Sequence, residues 1–215
     1  MMKTLTVGPL DVNCYIVWDR ESRGAFVIDP GGDAGSIEDV VKKEGLDVRY
    51  IINTHGHFDH VGGDAELKKA FCSPLAIHAS DAPMLSDAHE HGILYGVKTP
   101  RQPEADIFLE DGMELKAGGL ILQVIHTPGH TKGGVCLLDR TNGLLFTGDT
   151  LFAGSIGRTD FEGGSFDELM GSLRDKILPL ADGVKVFPGH GPSSTIGREK
   201  ASNPFILDLK DRQGI

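Results

Sequence analysis

The chain predicts an α+β fold in which two β-sheets pack face to face and helices cover the outer faces. Each half of the 215-residue sequence opens with short apolar runs of strand type and then turns to helical patterning. No linker-like or low-complexity stretch divides the halves, so residues 1–215 are expected to form one domain. Polar residues able to bind metal recur directly after the apolar runs, which points to a metal site built from strand ends.

In the first half, Asn13–Trp18 and Ala25–Ile28 are apolar runs separated by the polar turn 19–24. The second run ends in Asp29-Pro30-Gly31-Gly32, a strong chain-reversal signal. Apolar residues at Ile37, Val40 and Val41, with Gly45 as a stop, predict a helix over 36–44. A strand over 48–52, a helix over 64–71 and a short strand over 75–78 follow. The segment 79–103, with His89, His91 and scattered Pro and Gly, is read as an irregular connection that could form part of a substrate lid. In the second half, strands are predicted over 120–126, 135–138 and 144–147, and the turns 116–119 and 140–143 separate them. The latter ends in the hairpin pair Asn142-Gly143. A helix over 166–178 and a strand over 184–187 complete the pattern.

Composition narrows the classes of function. A formal net charge of -10 with no basic run argues against a nucleic-acid surface, because phosphate binding needs clustered Lys and Arg. No membrane partner is expected, since no apolar stretch approaches the length of a span. The first residues lack the apolar core of a secretory signal. The three cysteines, Cys14, Cys72 and Cys136, are odd in number and far apart, which disfavours a disulfide framework. A reduced, cytoplasmic location is the expectation, and oligomeric state is left open.

Chemistry concentrates in Thr54-His55-Gly56-His57-Phe58-Asp59-His60, immediately after an apolar strand. Imidazole nitrogens and carboxylate oxygens are preferred protein ligands of zinc and similar divalent ions, so this loop is read as a metal site. Four other strand ends repeat the arrangement: His130 on a Pro-Gly turn, Asp149 after Thr147-Gly148, His190 after Pro188-Gly189, and Asp29. A glycine near each lets the backbone turn sharply beside a ligand. The remaining histidines, His78, His89, His91 and His126, are read as packing or surface residues.

THGHFDH at 54–60, PGHT at 128–131, TGD at 147–149 and PGHG at 188–191 resemble, in order, the motif series of the metallo-β-lactamase superfamily, and DPGG at 29–32 resembles its first motif. The resemblance implies a four-layer αβ/βα sandwich with metals held by loops along one edge of two mixed sheets. It also implies that His55, His57 and His130 hold one metal, that Asp59, His60 and His190 hold a second, and that Asp149 bridges them. Asp29 would support a ligand from behind. The implied cofactors are two divalent ions, zinc foremost with iron or manganese as other fits, and no organic cofactor. A metal-bridging hydroxide would carry out hydrolysis, with Asp59 and Asp149 as the catalytic carboxylates.

Residues 146–152, GRTDF at 157–161 and Asn203-Pro204-Phe205 are similar to the glyoxalase II group, hydroxyacylglutathione hydrolases that cleave thioesters such as S-lactoylglutathione. The chain looks most like the short bacterial type, because only residues 191–202 lie between PGH and NPF where longer members carry a glutathione-binding extension. Where that group has Lys and Tyr for glutathione, this chain has Arg158 and Asp160. Arg158 could grip a substrate carboxylate, and Lys132 is a second candidate for an anionic group. GRTDF also resembles the persulfide dioxygenases, which use a single iron, so mono-iron persulfide oxidation is the alternative. Lactone hydrolysis is another, since it needs the same hydroxide. An RNA-processing nuclease fits the charge poorly, and a structural zinc module needs only four ligands where seven are present here.

Overall fold

The computed structural model describes residues 1–213. Its first half contains β1 (Met2–Val7), β2 (Val12–Trp18), β3 (Gly24–Ile28), α1 (Ala34–Glu44), β4 (Asp47–Ile52), α2 (Phe58–Val61), α3 (Asp64–Phe71), β5 (Leu75–His78), α4 (Ala82–Leu94) and β6 (Ile107–Leu109). The six strands lie in sequence order in one mixed sheet, antiparallel from β1 to β3 and parallel from β3 to β6. Parallel neighbours need crossovers, which α1, α3 and α4 supply.

The second half contains β7 (Glu114–Ala117), β8 (Leu120–His126), β9 (Val135–Asp139), β10 (Leu144–Gly148), β11 (Leu151–Phe152), β12 (Ser155–Ile156), α5 (Phe166–Ser172), β13 (Lys185–Pro188), β14 (Ser194–Thr195), α6 (Ile196–Ser202) and α7 (Pro204–Gln213). The sheet order is β14-β13-β10-β9-β8-β7, with only β10 and β13 parallel, while β11 and β12 form a separate ribbon. A π-helical turn, Leu173–Ile177, prolongs α5.

Side-chain alternation builds the four layers. Along β2, Cys14, Ile16 and Trp18 face the helices while Tyr15 and Val17 face the other sheet. On β9, Val135 and Leu137 face inward while Cys136 and Leu138 meet α5, α6 and α7. Both faces of these central strands are therefore buried, which is why they read as unbroken apolar runs. Phe26 and Phe146, each fully buried between the sheets, stabilise the sandwich by roughly 1.5–3 kcal/mol apiece. The predicted αβ/βα sandwich is the observed architecture.

Two expectations are corrected. Residues 79–103 are not irregular throughout, because 82–94 form the 13-residue helix α4. Pro83 sits in its first turn, where a missing N–H costs nothing, and Leu85 and Ala88 anchor it to the first sheet. The expected helix over 166–178 keeps its extent but changes to π geometry after Ser172. Among the described residues, no helix is long and apolar enough to cross a membrane.

Register places the functional loops together. Ile28 pairs with Ile52, so Asp29 and the Thr54–His60 loop leave the first sheet side by side. Gly148 pairs with Pro188, so Asp149 emerges beside His190 on the second sheet. Both groups lie at carboxyl ends of parallel strands, the edge where open α/β sheets gather their ligands.

Candidate metal centre

Seven side chains converge where these edges meet. His55, His57 and His130 form one set of mutually close donor atoms, and Asp59, His60 and His190 another, every atom within 4.8 Å of the rest of its set. Asp149 stands between them, with Oδ1 3.5 Å from His60 Nε2 and Oδ2 3.7 Å from both His130 Nε2 and His190 Nε2. His130 Nε2 lies 2.9 Å from His57 Nδ1, and His60 Nε2 lies 3.3 Å from His190 Nε2.

Hydrogen bonds behind the rings decide which nitrogens face inward. The Thr54 hydroxyl donates to Asp29 Oδ2 at 2.7 Å, so at 3.1 Å from His55 Nδ1 it accepts the ring proton. His55 Nε2 is then left as a buried lone pair without a partner. His130 Nδ1 donates to the Arg158 carbonyl at 2.7 Å, and His60 Nδ1 lies 3.1 Å from Asp29 Oδ2. The inward nitrogens of His55 and His130 thus lie within 4.8 Å of each other, with Asp149 Oδ1 also buried and unpartnered. Such an arrangement is repulsive until a cation occupies it. Donors bound tetrahedrally to zinc at about 2.0–2.1 Å stand roughly 3.3 Å apart, which matches the observed spacing. The donor set fits divalent metal.

Electrostatics tell the same story. Burial, then the neighbouring His130, push His57 down to about 3. Burial also holds His55 well below the usual imidazole range, and the other histidines reinforce it. Burial opposes charge on His60, but Asp149, Asp59 and Asp29 outweigh it and push the ring up to about 10. Asp59 is likewise disfavoured by burial, yet His60 and His190 hold it below the ordinary carboxylate range. Acidic groups around buried imidazoles favour a positive charge in their midst.

Close approach demands glycine at two points. A Cβ on Gly189 would press on Asp149 Oδ1 and stand 2.6 Å from His60 Cε1, and one on Gly56 would stand 2.7 Å from Met84 Cβ. Asp29 itself takes a left-handed backbone, φ 50°, and is fixed there by the two bonds from Thr54.

Several supporting residues gave no signal in the sequence. Asp81, fully buried, accepts hydrogen bonds from Gly56 N, Thr131 Oγ1 and Gly133 N at 3.1, 2.6 and 2.6 Å, tying the His57 loop to the His130 loop. The Tyr15 hydroxyl donates to the Pro188 carbonyl at 2.6 Å, and Asn13 Nδ2 to Pro188 and Gly191 carbonyls at 3.1 and 2.9 Å, which fixes the His190 turn. These contacts join residues about 175 positions apart, beyond any local pattern.

The cluster forms the floor of an open cavity of about 490 Å³ lined by His57, Asp59, His130, Asp149 and His190 together with largely apolar walls. Arg158 lines it, its guanidinium bonded twice to Asp160 at 2.9 Å and 4.1 Å above the Phe161 ring. Lys132 is exposed and lies outside that lining. His91 lines the cavity, whereas His78 and His126 stack on each other elsewhere at 4.1 Å. Burial pushes the Cys136 thiol up to about 11 and Cys14 well above its usual value, so neither supplies a thiolate.

Residues 7–197 match the family model of the metallo-β-lactamase superfamily. The chain belongs to that superfamily. The hydroxyacylglutathione hydrolase GloC of Haemophilus influenzae is 36% identical over 212 residues, covering 95% of this chain and 97% of that protein. Among solved structures, the BLEG-1 B3 metallo-β-lactamase superposes with a TM-score of 0.90 at 38% identity, covering 96% of this chain and 99% of the other. TTHA1623, solved in a di-iron-bound form, gives a TM-score of 0.88 at 38% identity over 94% and 99%. The family assignment made from the motifs therefore stands, and with it membership of a metallo-hydrolase superfamily.

Proposed function

We propose that this superfamily member is a binuclear metal-dependent hydrolase of thioesters, with S-lactoylglutathione or a related hydroxyacyl thioester as substrate. The observation that carries this reading is the pair of donor sets joined at Asp149 on the floor of an open cavity. Similarity to GloC over nearly the whole chain supports the thioester class.

His55, His57 and His130 would hold one ion, Asp59, His60 and His190 the other, and Asp149 would contact both. Two such ions, when bound, would supply a water of lowered pKa and a Lewis acid for the carbonyl. The chain's residues do the rest. Thr54, Asp29 and the Arg158 carbonyl fix the ring tautomers that present lone pairs inward. Asp59 and Asp149 face the cavity, where they would orient the attacking water by accepting its hydrogen bonds. A thiolate leaving group needs little acid assistance, because thiols ionise near pH 8.5.

Metal content should be measured first, followed by hydrolysis of S-lactoylglutathione beside oxygen uptake with glutathione persulfide. Two metals per chain with thioester turnover is the expected result. One iron with persulfide-dependent oxygen consumption would sink the proposal, and cleavage of a lactone or β-lactam without thioester turnover would move the substrate class.

A further inference from the structure

The cavity beside the donor cluster has walls of one chemical character. Phe58 and Tyr95 stack at 5.3 Å, and with Leu10, Met84, Leu94 and Phe161 they surround the approach to the donors. Leu94, Tyr95 and Leu10 are 79%, 59% and 44% exposed, so large apolar side chains stand uncovered at the rim. Exposed apolar groups gathered about a cleft mark a binding surface. The one Lys or Arg in the lining, Arg158, is paired with Asp160 by two hydrogen bonds of 2.9 Å and stands 4.1 Å over the Phe161 ring. Apart from the donors, the other ionisable lining groups are Glu162, His91 and Tyr95. A glutathione conjugate would bring two carboxylates to a wall that offers no unpaired Lys or Arg.

Resting on the thioesterase reading above, we infer that this wall is the subsite for an aliphatic acyl chain, and that the chain discriminates thioesters by apolar acyl length and not by a glutathione moiety. The chain lies between the end of α4 and Phe161, with the thioester carbonyl at the donor floor. Each methylene transferred from water contributes up to about 0.8 kcal/mol, or about fourfold in affinity.

Two measurements on metal-loaded protein test this. Calorimetric titration with uncleavable S-alkyl ethers of N-acetylcysteamine, from methyl to octyl, should show affinity rising two- to fourfold per methylene, as about expected for burial. Kinetics with the matching acyl thioesters should show kcat/KM rising in parallel. Leu94→Ser and Tyr95→Ser, at exposed positions where folding is not at risk, should each flatten both slopes. Affinity independent of chain length would overturn the inference, as would S-hexylglutathione binding tenfold more tightly than the cysteamine ether of equal length. Loss of a dimer in Leu94→Ser with ether binding unchanged would assign the patch to a second copy of the chain and overturn it equally. Graded ether binding without turnover of any thioester would leave the apolar subsite standing and remove the thioesterase reading instead.

Discussion

Asp81 never joins the donor cluster, yet its carboxylate holds together the two loops that deliver His57 and His130. Asp81→Ala leaves two backbone N–H groups and a threonine hydroxyl without their acceptor while every donor stays present. Metal affinity should fall 10- to 100-fold, roughly the usual cost of losing a residue that orients a ligand. Competition against a chromogenic chelator measures it, and unchanged affinity would deny Asp81 that role. His57→Ala removes a donor outright, so its loss should exceed about 100-fold and abolish turnover, with circular dichroism reporting a folded domain. Asp64 behaves differently. It is fully buried, Asn53 Nδ2 bonds one oxygen at 3.2 Å, and its other oxygen has no partner. Burial pushes its carboxyl well above the usual range. Below about pH 3.9 the folded and unfolded states both keep this proton; above that, the unfolded chain releases it first, so stability falls as pH rises toward the folded value. Asp64→Asn removes the penalty, and its gain in urea unfolding of the metal-free protein should be larger at pH 7.5 than at pH 4.5. A gain equal at the two values would refute the assignment.

Elements differ in how openly the sequence declares them. β2, β3, β9 and β10 were readable because strands buried on both faces leave apolar runs bounded by turn residues. β1 has a single buried position at the sheet edge, and β11, β12 and β14 have two residues each, too few for any period to register. α4 escaped because only Leu85, Ala88 and Gly92 are buried along it, while its apolar end, Ile93 and Leu94, faces outward. The donors were legible because histidine and aspartate are conspicuous after apolar runs, whereas Asp81, Asn13 and Tyr15 acquire their roles only through pairing across the fold. α5 has such a role too. Ser172 Oγ donates to the Pro128 carbonyl at 2.8 Å and Ser165 N to the Gly129 carbonyl at 2.7 Å, so the helix props the turn carrying His130. Leu169, fully buried in the outer core, seats that helix. Leu169→Ala should cost about 2–5 kcal/mol in urea unfolding. It should also weaken metal binding, and a destabilised variant with intact metal affinity would uncouple α5 from the site.

On the scale of the whole molecule, the donors divide between the two halves. His55, His57, Asp59 and His60 follow β4 of the first sheet, while His130, Asp149 and His190 follow strands of the second. The apolar layer between the sheets already joins the halves, but at this edge His55 Nε2 and Asp149 Oδ1 stay buried without a hydrogen-bond partner. Metal bound there would act as a clamp across the sandwich, and its binding energy would appear as folding stability, because the unfolded chain scatters the seven donors over 136 positions from 55 to 190. With free metal at 100 times its dissociation constant, each site adds about 2.7 kcal/mol. For a domain of this size, 1 kcal/mol moves the melting temperature by about 2–4 °C. Removing metal with a chelator should then lower Tm by roughly 5–11 °C per occupied site. Because His55, His57 and His130 form one set and Asp59, His60 and His190 the other, His57→Ala should lose only part of the metal-dependent increment, and His57→Ala combined with His190→Ala should lose nearly all of it. Differential scanning fluorimetry across a zinc titration resolves the two increments. A single increment abolished by either substitution would mean one metal ion drawing on both donor sets, and a Tm indifferent to chelation would mean that the apolar layer alone holds the sheets together.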